Sequence, residues 1–362
     1  MDELLNLADF EREAERRLDP GAYGYFAGGS GDETTLRENV AAFARRQLRP
    51  RVLVDVGAAT TESTLLGRPI SMPLLVAPTA FHRLAHPDGE AATARGAATT
   101  GTIMCQSTLS SVTPAELAAA APGARLWFQL YWSTDRGFTR ELLAQVTESG
   151  FEAVVLTVDF PVAGQRERDL RARFSLPREL AAPNVPETLA RTDFHAALGK
   201  IVDATLTWRD LEWLREACRL PVLLKGILTS EDALLAVEHG ADGVIASNHG
   251  GRQLDGVPAS LDVLPEVVDA ASGRTEVLVD GGIRRGADVL KALALGARAV
   301  LVGRPVLWGL AVGGEAGVAR VLELLRREIL LGLTLLGCAT PGDVTRAHVA
   351  PAQPASTWAS SS

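Results

Sequence analysis

Cysteine is scarce in this chain of 362 residues: Cys105, Cys218 and Cys338 are the three, far apart and without metal-ligand spacing. That excludes a disulfide framework or a structural metal site, and it reads as reduced thiols in a cytoplasmic protein. Basic charge is in deficit. The 36 Lys and Arg stand against 44 Asp and Glu, a net charge of −8, so no excess meets phosphates and no nucleic-acid partner is expected. No apolar run reaches the roughly 18 residues that span a bilayer, so no membrane partner is expected either. The first twenty residues are charged and helical in pattern, unlike a signal peptide. No glycine fingerprint for NAD follows an early strand. Tyrosine occurs only three times, so its positions carry weight.

Apolar side chains are plentiful at 47%, enough for a large buried core. From about Met72 the pattern alternates between short apolar strands and Ala/Leu-rich helices. Strands are predicted over Leu74–Ala77, Ile103–Gln106, Leu126–Tyr131, Ala153–Val158, Val222–Lys225, Gly243–Ala246, Glu276–Val279 and Ala299–Val302. Helices are predicted over Gly89–Thr99, Pro114–Ala121, Arg136–Ser149, Ser230–His239, Ser260–Ala271, Gly286–Leu295 and Gly314–Leu331. Strands buried on both faces with helices between them make a parallel sheet. Eight such units in about 260 residues make an α/β fold of the (β/α)8 TIM-barrel type.

The barrel is expected to span 71–347 within a single domain of residues 1–362. A helical segment (1–70) precedes it, with stripes at Leu4–Ala14 and Glu33–Arg46 separated by a glycine-rich break at Tyr23–Gly31. Residues 348–362 are expected to form a disordered tail. One connection is abnormal: residues 160–220 carry Pro177, Pro183, Pro186 and mixed charge. A loop of that length is expected to be functional, here a lid over the barrel mouth.

In such a barrel the chemistry sits at the C-terminal strand ends. The sixth strand runs into Ser247-Asn248-His249-Gly250-Gly251-Arg252-Gln253-Leu254-Asp255. That places a proton-moving imidazole and a carboxylate-gripping guanidinium beside glycines that admit a bulky ligand. The combination points to an enzyme acting on a small organic acid beside a cofactor. A lone histidine is more often structural, but polar residues recur at nearly every other strand end. They are Pro78, Thr79 and Ala80; Ser107; Gln129 and Tyr131; Thr157 and Asp159; Lys225; Asp280, Gly281, Gly282 and Arg284; and Gly303 with Arg304. The last two groups are glycine-rich turns with arginines after strands seven and eight, where barrels hold a phosphate. Glycines that merely turn strand into helix would explain one such turn better than two.

With these motifs in view, the chain resembles the FMN-dependent L-2-hydroxy acid oxidases and dehydrogenases from about Tyr23 to Ala347. Ala77-Pro78-Thr79-Ala80, Phe128-Gln129-Leu130-Tyr131, Leu156-Thr157-Val158-Asp159, Lys225-Gly226, the 247–255 run, Asp280–Gly286 and Val302-Gly303-Arg304-Pro305 carry the resemblance. It implies FMN as cofactor. The phosphate falls to Gly282, Gly303 and Arg304, with Asp280 and Arg284 near the ribityl chain and Gly281 as a further cofactor contact. Pro78, Thr79 and Ala80 lie along the ring. Ser107, Gln129 and Thr157 bond its polar edge, and Lys225 stands where charge accumulates on reduction. Ser247, His249, Gly250 and Arg252 come from the motif itself. His249 is implied as the base, Asp159 as its charge partner, and Tyr131 as a bond to the substrate oxygen. Arg252, Arg166 and Tyr25 hold the substrate carboxylate. Arg168 reads as a solvated or paired neighbour, and Tyr23 and Phe26 as packing residues.

Leu109 stands where plant glycolate oxidase has a bulky tryptophan. With Phe81 and Val162 as further expected wall residues, that implies a 2-hydroxy acid larger than glycolate, such as lactate, a longer acid or mandelate. The mixed charge of the long loop favours dioxygen as acceptor, giving hydrogen peroxide, and the resemblance implies a homotetramer. Two alternatives stay open: a dehydrogenase passing electrons to a quinone or protein, and a catalytically silent FMN-binding barrel.

Overall fold

The computed structural model describes residues 3–177, 180, 182–186 and 202–352. Three short strands precede the barrel: β1 (Arg46–Leu48), β2 (Ser63–Leu65) and β3 (Arg68–Ile70). The barrel strands are β4 (Leu74–Val76), β5 (Ile103–Ser107), β6 (Arg125–Leu130), β7 (Ala153–Thr157), β8 (Val222–Ile227), β9 (Gly243–Ala246), β10 (Glu276–Asp280) and β11 (Ala299–Val302). They close in sequence order, β11 pairing with β4, and every pairing is parallel. All eight agree with the predicted strands to within two residues.

Alternation along each strand divides two apolar clusters. Leu75, Cys105, Trp127, Val155, Leu223 and Leu278 share the barrel interior. Their neighbours Leu74, Met104, Phe128, Val154, Leu224 and Val279 pack outward against the helices. This is the period of two that a strand imposes. The hairpin of β2 and β3 seals the N-terminal end of the barrel, since Leu65 and Ile70 join the interior cluster. Its two-residue turn, Leu66-Gly67, has φ of 47° and 73°, the left-handed pair that matches strand twist.

Several expectations are corrected. The segment 1–70 is not wholly helical, since it holds β1 and the hairpin. The Tyr23–Gly31 break is mostly the helix Pro20–Ala27, started by Asp19, whose carboxylate accepts from Gly21 N–H at 2.8 Å. The tail does not begin at 348: β12 (Val349–Pro351) pairs antiparallel with β1, and residues 353–362 lie outside the described residues. The connection 160–220 contains the helices Glu167–Arg171 and Asp210–Ala217, and 187–201 lie outside the described residues. The last helix runs from Arg304 to Leu336 and breaks at Gly313-Gly314. There its halves pack so closely that a Cβ on Gly317 would meet Gly309 O at 2.0 Å.

Candidate active site

The C-terminal strand ends converge on a pocket of 1020 Å³, its open mouth included. Pro78, Thr79, Ala80, Ser107, Gln129, Tyr131, Thr157, Lys225, His249, Gly250, Arg252, Asp280, Gly281, Gly282, Arg284, Gly303 and Arg304 all line it, with Tyr25 and Arg166. Two sequence-predicted residues stand behind the wall. Ser247 is fully buried and reaches the pocket through Lys225. Asp159 reaches it through His249.

The loop after β9 is locally demanding. His249, Gly250 and Gly251 have φ of 57°, 64° and 75°, three left-handed residues in a row. For His249 this costs free energy that the surroundings must offset. They do so with hydrogen bonds. Asn248 and Asn39 exchange amide bonds at 2.8 Å, and His249 N–H donates to Ser247 Oγ at 3.1 Å. A Cβ on Gly251 would meet Leu36 N at 2.6 Å, so glycine lets the helix Thr34–Ala44 press on the loop. Asp255 fixes that helix's start by accepting from Thr34 and Thr35 N–H at 3.2 and 2.8 Å.

His249 Nδ1 lies 2.9 Å from Asp159 Oδ1, and Nε2 lies 3.3 Å from the Tyr131 hydroxyl. Burial would raise the Asp159 carboxyl, but His249 and Lys225 outweigh it and hold it below the usual carboxylate range. An ionised carboxylate only accepts, so Nδ1 carries the proton and Nε2 is the free base. Burial is the largest influence on His249 and moves it below the ordinary histidine value; Asp159 opposes and Lys225 assists. Burial and the Asp159 charge raise the Tyr131 phenol, which stays protonated.

Lys225 Nζ is buried between Ser247 Oγ at 2.9 Å and Asp280 Oδ2 at 3.2 Å. Burial alone would lower its pKa, but Asp280 and Asp159 more than compensate and keep it cationic. Arg252 donates to Tyr25 O at 2.7 Å and Gly28 O at 2.8 Å and stacks over the Tyr25 ring. Burial first, and Arg166 second, push Arg252 down to about 10. Burial dominates that shift, and the smaller contribution comes from Arg166, a second guanidinium lining the same pocket. Tyr25 is itself stacked on Phe174, centroids 4.9 Å apart, so the early part of the 160–220 connection packs against the helix Pro20–Ala27. At the far end Arg304 donates to Phe26 O, Gly250 O and Gly28 O, and burial followed by Arg252 and Arg284 lowers it well below its usual value. Gly282 has φ 82°, and a Cβ there would meet Asn39 O at 1.8 Å.

Two expected wall residues are displaced. Phe81 is buried outside the pocket and Val162 is exposed to solvent. Leu109 does line it, joined by Phe160, Ile283 and Leu307. Arg168 is paired with Glu33 at 2.6 Å, and Tyr23 packs on Trp308. The sequence reading passed over Gln253, whose Nε2 donates to Asp159 O and Val162 O at 2.8 and 2.9 Å while its Oε1 accepts from Gly164 N–H. It ties the Asp159–Arg166 loop to the His249–Arg252 loop. Its place inside the motif was the signal available.

With this geometry in hand, the sequence model of the FMN-dependent dehydrogenases matches residues 14–351. The chain belongs to that family. It is 49% identical over 352 residues to an L-lactate oxidase of Nostoc sp., covering 94% of this chain and 96% of the relative. It is 48% identical to glycolate oxidase 1 of Zea mays over 96% of each. Among solved structures, a mandelate oxidase variant with (S)-mandelic acid superimposes with a TM-score of 0.89 at 44% identity, covering 97% of this chain and 99% of that one. The protein is thus an FMN-dependent enzyme with a TIM barrel.

The pocket fits that cofactor. Gln129 Nε2, Thr157 Oγ1 and Asp280 Oδ1 are buried and find no hydrogen-bond partner among the described residues. Each costs about 1–3 kcal/mol if left so. They supply the donors and acceptor that the polar edge and hydroxylated chain of FMN require, and the cationic glycine cradle at Gly282 and Arg304 suits its phosphate.

Proposed function

We propose that this enzyme oxidises an L-2-hydroxy acid larger than glycolate to its 2-oxo acid, with dioxygen as acceptor and hydrogen peroxide as product. The observation carrying the proposal is one pocket that places a free imidazole nitrogen beside two carboxylate-binding guanidiniums. Arg252 and Arg166, helped by Tyr25, hold the substrate carboxylate and orient C2. Tyr131 donates to the substrate hydroxyl oxygen. His249 Nε2 takes a substrate proton, and Asp159 stabilises the resulting imidazolium through Nδ1. FMN, when bound, supplies the two-electron acceptor. Lys225 sets a fixed cation at the pocket floor, where it favours negative charge. Gln129, Thr157, Ser107 and Asp280 orient the cofactor, and Gly282, Gly303, Arg284 and Arg304 bind its phosphate end.

Leu109, a small wall residue, supports a substrate larger than glycolate. We further read the chain as one domain, a cytoplasmic protein and a homotetramer. Cys105, Cys218 and Cys338 are all buried free thiols, which suits a reducing compartment. No helix among the described residues is long and apolar enough to cross a membrane. The test is the visible spectrum of the purified protein under anaerobic addition of a panel of L-2-hydroxy acids. Flavin bleaching by lactate, longer acids or mandelate, with peroxide formed on admitting air, is the expected result. Glycolate as the sole good substrate, or no peroxide, overturns the corresponding part.

A further inference from the structure

A second buried polar network lies behind the loop that follows β4, and the chemistry described so far makes no use of it. His82 is buried at the end of that loop, its Nε2 2.6 Å from Thr79 Oγ1 and its Nδ1 2.9 Å from Thr93 Oγ1. Glu90, equally buried, accepts from His82 N–H at 3.2 Å and from the backbone N–H and hydroxyl of Ser111. Glu90 therefore clamps the loop after β4 to the loop after β5, and Phe81 N–H adds a bond to Leu109 O at 3.0 Å. Phe81 has φ 53°, so the loop is held in a conformation it would not adopt unaided.

The hydrogen-bond directions in this network can be assigned. Thr93 Oγ1 lies 3.3 Å from Gly89 O, and with its hydroxyl proton given to that carbonyl, as helical threonines commonly do, it only accepts towards His82. His82 Nδ1 must then carry the proton. Burial is the largest influence on His82 and holds it below the ordinary histidine value against the opposing pull of Glu90 and the Thr79 backbone; with Nδ1 protonated, the neutral ring has only a lone pair at Nε2. Thr79 must therefore donate its single hydroxyl proton to His82. Towards anything else the Thr79 oxygen can only accept, and Thr79 lines the cofactor pocket.

We propose that His82 is a positioning residue that commits the Thr79 hydroxyl proton, so that Thr79 presents the cofactor with an acceptor and favours its reduced, N–H-bearing form. The proposal rests on the placement of FMN in this pocket. It assigns a role to the tautomer of His82, which Thr93 dictates, and to the clamp by Glu90, which fixes the distance.

The test is the two-electron reduction potential of the FMN-loaded enzyme, measured anaerobically against reference dyes. Thr79→Val removes the acceptor, and His82→Leu frees the Thr79 proton to turn elsewhere. Each is expected to lower the preference for the reduced form about tenfold, roughly 30 mV for a two-electron couple. The double variant is expected to lower it no further, because both remove one interaction. Thr79→Ser and His82→Gln keep the hydroxyl and a planar donor–acceptor pair, and each is expected to stay within about threefold of the wild type. An unchanged potential in Thr79→Val overturns the proposal, as does an additive double variant. If the His82 variants do not retain FMN, the Thr79→Val and Thr79→Ser pair decides alone. Lys225→Met separates the two layers: if it too leaves the potential unchanged, the placement of the cofactor has failed; if it alone shifts the potential, only the role of Thr79 and His82 has failed.

Discussion

The imidazole Nδ1–H of His249 donates to Asp159 Oδ1 at 2.9 Å, and this bond decides which ring nitrogen is free for chemistry. Asp159 comes from the end of β7 and His249 from the loop after β9, ninety residues apart in sequence. The close approach is possible because Gly226, at the end of β8 between them, has no side chain. A Cβ there would meet Asp159 Cβ at 2.6 Å.

The pH dependence of turnover follows from this pair. His249 acts as a base only when neutral, and the fold places its pKa below the ordinary value of about 6.5. Activity is therefore expected to rise with pH, to be complete in the ordinary histidine range and above, and to fall only on acidification below it. Asp159→Asn removes the influence that raises His249, so the acidic limb moves to still lower pH. The plateau falls by about 10²–10⁴ because the imidazolium loses its partner. A pH profile of kcat/KM for both proteins checks this; an unchanged plateau refutes the role of Asp159.

His249→Gln should retain bound FMN and lose reduction of it by substrate, by about 10²–10⁴ in rate. Stopped-flow absorbance under anaerobic conditions reads this directly. Wild-type reduction in the variant would remove the base assignment.

The crowding of Arg252 by Arg166 predicts anion binding. Inorganic sulfate should compete with the hydroxy acid, raising apparent KM and leaving kcat unchanged. Arg166→Met should raise KM by about 10–150-fold, the worth of a hydrogen bond to a charged group, and weaken inhibition by sulfate. Noncompetitive inhibition would place the anion elsewhere.

Leu109 offers a test of specificity. Leu109→Trp should reduce kcat/KM for a bulky 2-hydroxy acid relative to glycolate by about 10–200-fold, the range that one pocket contact controls. A steady-state panel on the two proteins measures it, and an unchanged ratio would remove Leu109 from the specificity wall.

Much of this arrangement was legible in the sequence because a parallel barrel strand is short, apolar on both faces and followed at once by its functional residue. Gly243–Ala246 leads directly to His249, and Val222–Leu224 to Lys225. What was not legible depends on contacts across the barrel. The β2–β3 hairpin lies in a stretch with no apolar alternation of useful length, and only its docking on the barrel floor makes it regular. Asn39 and Gln253 are polar residues with no intrinsic signature, and their partners lie 209 and 94 positions away, respectively. Val162 looked like a wall residue by position, but the chain turns outward after Phe160, which takes the wall instead.

The surface bears on assembly. Arg51 N–H donates to Leu336 O at 3.0 Å, which sets the segment Val52–Val54 beside the end of the last helix. Leu53 there is fully exposed with φ 60°, and Val52, Leu331 and Leu335 are exposed as well. An apolar cluster with a leucine held in a strained conformation is poorly suited to water and well suited to a self-complementary contact. Leu53→Glu combined with Leu335→Glu should therefore convert the proposed tetramer to smaller species, seen by light scattering coupled to size exclusion. Both side chains lie outside the pocket lining, so the variant should still bind FMN. An unchanged mass would place the subunit contact on another face, and a monomeric wild type would overturn the tetramer itself.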